Sequence, residues 1–263
     1  KQRSKIMLLG ALVVGTACGE VEPPPTQAEP SRIEGEVYWA LQGTERAVEV
    51  FAWVDGEQGE ALCATRSNDE GAWGCALGPY QGEVLVRGDH PKGDVRALDA
   101  VVISQTKSGV QVSPAQHLIW AYARWLADNG MGAGASIDKA RMLINEHLGG
   151  IRHHELKAVD VTSADAVGPR TRFDDDLVAG TLFAGLDELA ADISRKSGLT
   201  VGGRVNGFSV LAALAQDIQA DGVFDGQGAK PLVLGSVELD ANTLRVDYAR
   251  ALLAFMSSEL NQS

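Results

Sequence analysis

The sequence predicts an α+β protein in two parts, an N-terminal seven-stranded antiparallel β-sandwich followed by an all-α bundle of about five helices. Three observations carry this. From Arg32 to about Val112 apolar and polar residues alternate with period two; Gly, Pro, Asp and Asn interrupt that stretch every 8 to 12 positions; after Val112 the apolar period becomes 3.6.

The expected strands are Ile33 to Leu41, Ala47 to Val54, Glu60 to Ser67, Ala72 to Leu77, Gly82 to Arg87, Asp94 to Ile103 and a short Val110 to Val112. Turns separate them at Asp55-Gly56, Asn68-Asp69, Gly78-Pro79, Gly88-Asp89 and Pro91-Lys92-Gly93. Cys63 and Cys75 flank the turn residues Asn68, Asp69 and Gly71. A hairpin folded about Asp69 sets Cys63 opposite Cys75 and Thr65 opposite Trp73, with the paired Cβ atoms ~4.5 to 5.5 Å apart, within reach of a disulfide. Two free buried thiols are the alternative; a metal site is disfavoured because two thiolates without a nearby His fall short of four ligands.

The helical part starts at Ser113-Pro114-Ala115-Gln116, with Ser at the N-cap, Pro at the first helical position and Gln placed to reach back. Leu118, Ile119, Tyr122, Ala123 and Leu126 line one face before Asn129-Gly130 stops the helix. Further helices are expected at about Ser136 to Leu148, Asp174 to Lys196 (stripe Leu182, Leu186, Leu189, Ile193), Asn206 to Ala220, and Thr243 to Leu260. The last should face inward through Ala249, Leu252, Leu253 and Met256. Asp174, Asp175 and Asp176 place negative charge at the positive end of a helix.

Ahead of the strands, basic Lys1, Arg3 and Lys5 precede an apolar run from Ile6 to Ala17 that closes on Gly15-Thr16-Ala17-Cys18. This is the make-up of a secretory signal peptide, too short to span a ~30 Å bilayer core as a helix. Export would put Cys63 and Cys75 where disulfides persist. The pattern also resembles a bacterial lipobox, with Gly15 where leucine is usual. The resemblance implies cleavage before Cys18, a diacylglyceryl thioether on Cys18 and acylation, as by palmitate, of its new amine. Gly19, rather than aspartate, leans toward outer-membrane sorting by analogy with enteric bacteria. The Pro-rich residues up to Pro30 read as an extended tether. The expected divisions are therefore a signal peptide (1–17), lipidated Cys and tether (18–31), β-sandwich (32–112) and helical part (113–263).

A further likeness rests on Gly35-Glu36-Val37, Val48-Glu-Val-Phe-Ala52, the hairpin Thr65-Arg-Ser-Asn-Asp-Glu-Gly-Ala-Trp73 and Tyr80-Gln-Gly-Glu-Val-Leu-Val86. Together they resemble a carboxypeptidase regulatory-like domain over roughly residues 33 to 112. The resemblance implies a prealbumin-like sandwich, a tight turn that delivers Trp73 into the core, and a non-catalytic accessory or surface module. Sandwich followed by helices, with Val112-Ser-Pro-Ala-Gln-His-Leu118 and the stretch from Leu211 to Gly226, resembles uncharacterised surface lipoproteins of Gram-negative bacteria. That likeness brings no functional residues with it.

The chain carries a net charge of -12, and -15 once Lys1, Arg3 and Lys5 leave with the leader, a field that repels phosphate backbones and disfavours nucleic acid. The expected partners are the membrane, through Cys18, and an unidentified protein or glycan. No catalytic residues and no cofactor are expected: no H-E-x-x-H pairs with His153-His154, no G-x-S-x-G pentapeptide occurs, and Gly198 to Gly203 lacks the lysine of a phosphate loop. His153 and His154 read as an exposed loop pair. Two readings compete for Asp217, Asp221 and Asp225: a calcium site of carboxylate and backbone oxygens, or, favoured, a helix end capped by Gly222 followed by an Asp225-Gly226 turn. Tyr38, Trp39, Trp53 and Trp73 raise the rival of a glycan platform, although Trp73 shares a face with Cys75 and Leu77 and Trp39 and Tyr38 point to opposite sides.

Overall fold

The computed structural model describes residues 31–37, 46–89, 97–103, 108–168, 174–198, 205–226, 231–240 and 242–263. The leader, Cys18, most of the tether, Tyr38, Trp39, His90, the outer ends of the first and sixth expected strands and the Leu199 to Gly203 connection lie outside the described residues. The chain is a mixed α+β protein. Its strands are β1 (Ser31–Val37), β2 (Ala47–Val54), β3 (Glu57–Arg66), β4 (Ala72–Gly78), β5 (Val84–Asp89), β6 (Ala97–Val102), β7 (Val110–Val112), β8 (Val233–Leu234) and β9 (Val237–Glu238). The helices are α1 (Pro114–Asp128), α2 (Ala133–His147), α3 (Ala164–Val167), α4 (Asp175–Ser197), α5 (Gly207–Asp221) and α6 (Leu244–Met256). Among the described residues, nine strands and six helices thus stand where seven and about five were expected; the short β8–β9 hairpin and the single turn α3 are too brief to leave a periodic pattern.

The strands form a four-stranded sheet, β3-β2-β5-β6, and a three-stranded sheet, β4-β1-β7. All pairs in the larger sheet are antiparallel, but β1 and β7 run parallel, which corrects the expectation of a purely antiparallel arrangement. Gly35 permits that pairing: a Cβ there would overlap the Val110 carbonyl, its partner across the ladder. Asp55 and Gly56, both with positive φ (51° and 88°), close a two-residue turn of the kind that suits tight hairpins, and β3 pairs with β2. Asn68 then redirects the chain. Its Oδ1 accepts the Glu70 and Ala72 N–H groups (3.0 and 2.8 Å), and β4 leaves β3 to pair with β1 in the other sheet.

Ile33, Trp73, Cys75 and Leu77 from one sheet and Val48, Val50, Val84 and Val86 from the other are buried in the same cluster. This cluster runs on without a break into the helices, through Ile119 of α1, Ile137 of α2 and Ile218 of α5. The tip of the β2–β3 turn sits against α1, where a Cβ on Gly56 would overlap that of Ala127. The Tyr122 hydroxyl donates to the carbonyl of Gly222 at 2.6 Å, tying α1 to the end of α5.

Helix ends follow local chemistry. Ser113 accepts the Gln116 N–H (3.4 Å) and Asp174 accepts the Asp176 N–H (2.9 Å), while Gly198 and Gly222 close α4 and α5 in the left-handed conformation. The Gln116 side chain does not reach back to the cap as expected; its amide donates to the His154 carbonyl (3.2 Å), because the loop after α2 lies against this end of α1. Helix α6 is rotated from its expected orientation. Leu244, Ala251 and Phe255 are buried, Leu252 is half-buried, and Ala249, Leu253 (63% exposed) and Met256 (53% exposed) face outward. Both faces of this helix are apolar in sequence, and its approach to Gly185 of α4, which meets Tyr248 and Leu252, chooses between them. Phe255 completes a smaller cluster with Val159, Val161, Val167 and Leu177.

Candidate functional site

Leucines at helical spacing on three elements converge on one cavity. Leu182, Leu186 and Leu189 of α4 face Leu211 and Leu214 of α5, with Leu118 of α1 behind them. Phe224, after α5, and Leu244 of α6 close the apolar wall around a cavity of about 270 Å³. Three titratable side chains also line it: His147 at the end of α2, and Arg245 and Tyr248 of α6. The Tyr248 hydroxyl donates to the Leu182 carbonyl at 2.6 Å, and its burial raises its pKa, so it remains a neutral phenol. His147 rests edge-on against Phe224, with ring centroids 5.6 Å apart. Burial, and then the positive charge of Arg245, push its pKa down, which leaves Arg245 as the permanent charge of the lining at neutral pH. Arg245 is exposed and makes no ion pair with the described residues. The described lining is mostly leucine and phenylalanine, which suits it to hold an apolar body.

A second, polar cleft of about 320 Å³ lies between β7 and the loop after α2, lined by Ser108, Gln116, Arg141, His154 and Glu155 among others. A serine, a histidine and a carboxylate in one cleft invite comparison with a nucleophilic triad. The ring of His154 is committed elsewhere. Its Nδ1 accepts from the Asn145 amide at 3.2 Å, which leaves the proton on Nε2, 3.5 Å from Glu155 Oε1. No ring nitrogen is left to take a proton from Ser108. Burial first, and the nearby Arg141 charge second, push the His154 pKa down to about 4, so the ring is neutral at physiological pH.

His153 and His154 therefore correct the expectation of an exposed loop pair. The His153 ring is buried, its Nε2 at 2.9 Å from the Leu148 carbonyl, and the His153 backbone N–H donates to Asn145 Oδ1 at 3.1 Å. Both histidines pin the loop after α2 to that helix, and their adjacency in sequence carries no sign of this.

Cys63 and Cys75 are joined, with Cα atoms 6.3 Å apart. The hairpin geometry expected for them is not the one observed: Cys63 pairs with Val50 across the β2–β3 ladder and Cys75 with Ile33 across β1–β4. The bridge spans two sheets rather than two neighbouring strands.

Asp217 is fully buried, and its Oδ2 accepts the N–H groups of Asp225 (3.0 Å) and Gly226 (2.6 Å). Asp221 is exposed and accepts the Val223 N–H (2.8 Å) as a turn. Asp217 and Asp221 thus do different work, and the described residues contain no cluster of three His, Cys, Asp or Glu able to hold a metal. Trp53 and Trp73 are buried, 2% and 5% exposed, so neither offers a stacking face for a sugar.

Sequence reading did not find the cavity. Leu182 and Leu186 appear in the expected α4 stripe, but Arg245, Tyr248 and His147 come from elements up to about a hundred residues apart, and only packing brings them together. Comparisons of the chain with protein-family models, with curated proteins and with solved structures found no match.

Proposed function

We propose that this chain is a lipid-anchored protein of the bacterial envelope, attached through Cys18 to the outer membrane, with a non-catalytic binding role. The observation that carries the binding role is the leucine-lined cavity between α1, α4, α5 and α6, with its mostly apolar wall. The envelope assignment draws on the leader ending at Cys18, and a disulfide between Cys63 and Cys75 suits an oxidising compartment. No described helix is long and apolar enough to cross a membrane, so attachment in this reading rests on acyl chains, of which more than one gives stable anchoring. Two packed sheets of three and four strands support the likeness to a carboxypeptidase regulatory-like sandwich, with the helical part appended to it.

Mass spectrometry of the protein from its native membrane tests the anchor. A Cys18 peptide carrying acyl mass and lacking residues 1–17 is the expected result; an unmodified Cys18 peptide that retains Lys5 to Ala17 would overturn the localisation. The binding role is tested by the apolar-probe measurement below.

A further inference from the structure

We infer that the cavity receives a single-chain anionic amphiphile, with its aliphatic body among the leucines and its acidic head at Arg245; this rests on the cavity being a binding site. Three observations point to that ligand class. The wall is built from Leu182, Leu186, Leu211, Leu214 and Phe224, which reward an apolar body and offer it no hydrogen bond. At about 270 Å³ the space is near the lower end of small-molecule pockets, which suits one short chain rather than a two-chain lipid. Among the polar groups of the lining, Arg245 is cationic and without an ion pair among the described residues, the Tyr248 hydroxyl is occupied by the Leu182 carbonyl, and His147 lies edge-on against Phe224. The net charge of -12 repels anions at long range, so it is the local cation at Arg245 that would favour a negative head over a neutral one.

Arg245 is exposed, so water screens its attraction and the selectivity it confers is modest, about two- to fivefold. The measurement uses the full chain with Cys18→Ser, purified without detergent, and the fluorescence of N-phenylnaphthylamine, a neutral apolar probe. The probe should brighten on binding, decanoate should displace it at roughly two- to fivefold lower concentration than decanol, and Arg245→Ala should bring the two together by weakening decanoate alone. Equal displacement by decanoate and decanol, or an Arg245→Ala variant that keeps the preference, overturns the anionic assignment while the cavity remains a binding site. Leu186→Trp, which fills the cavity, should abolish probe binding while keeping the parent circular dichroism spectrum; Leu182→Phe provides a second filling variant should the first fail to fold. Failure of the probe to bind the parent chain, or full probe binding by a folded filled variant, overturns the binding role itself.

Discussion

Cys63 of β3 is bonded to Cys75 of β4, and these two strands lie at the edges of different sheets. The bridge therefore ties the two packed sheets covalently at their β3 and β4 edges, beside the β2–β3 ladder and the hydrogen bond from Arg87 to Gln58 (3.0 Å). Removing it with Cys63→Ser and Cys75→Ser together should lower unfolding free energy by about 3 kcal/mol on the chain-entropy account of a short loop. Urea unfolding of the parent chain with and without reductant checks this. A reductant-insensitive midpoint would deny the staple its role.

Gly180 of α4 touches the Val159 carbonyl so closely that a Cβ would overlap it. In an exposed helix, glycine to alanine stabilises by about 1 kcal/mol. Here Gly180→Ala should destabilise by about 1 to 3 kcal/mol, because α4 or the Val159 segment must shift. Gly35→Ala should act in the same direction by opening the β1–β7 ladder at Val110. Thermal unfolding decides the sign, and a raised Tm for Gly180→Ala would contradict the packing described.

Asp217 and Asp221 sit one helical turn apart on α5, yet substitution should affect them very differently. Asp217→Ala leaves the Asp225 and Gly226 N–H groups without their carboxylate and should cost about 3 kcal/mol. Asp221→Ala removes an exposed turn contact and should cost under about 1 kcal/mol. Equal losses by denaturant titration, or a calcium-induced rise in Tm that Asp221→Ala removes, would restore the ion-binding reading of this segment.

His117 gives the structure an acid limit. Its Nδ1 accepts the N–H of Asp99 (3.1 Å) on β6, an edge strand of the four-stranded sheet, so the buried ring must stay neutral at that nitrogen. Burial pushes its pKa from 6.5 down to about 4. The unfolded chain thus binds this proton first. The stabilisation is complete above about pH 6.5 and is lost as pH falls toward 4, up to about 3 kcal/mol. Urea midpoints measured between about pH 7 and pH 4.5 should fall, and His117→Gln should flatten part of that fall. A slope unchanged by the substitution would assign the acid sensitivity to other groups.

Local chemistry was legible in the sequence. Ser113 caps its helix, Asp175 and Asp176 put negative charge in the first turn of α4, Asn68 and Gly71 make their turn, and Trp73, Cys75 and Leu77 share a buried face, because each depends on residues a few positions away. Long-range choices were not. The same alternating pattern in β4 serves equally well beside β3 or beside β1, and the turn at Asn68 decided for β1. The apolar residues of α6 could bury either face, and Gly185 decided for Tyr248 and Leu252 over Leu253 and Met256.

By itself, the sequence determined the α+β class, most of the turns, the Ser113 cap, the acidic charge and the pairing of Cys63 with Cys75. Tertiary structure alone decided that the disulfide crosses between sheets, that His153 and His154 are held against α2, and that Arg245 stands beside a leucine-lined cavity. The division has a physical reason. Periodicity, capping and turn formation are set by backbone geometry within a few residues, whereas partner strand, buried helix face and cavity follow from packing among segments distant in sequence.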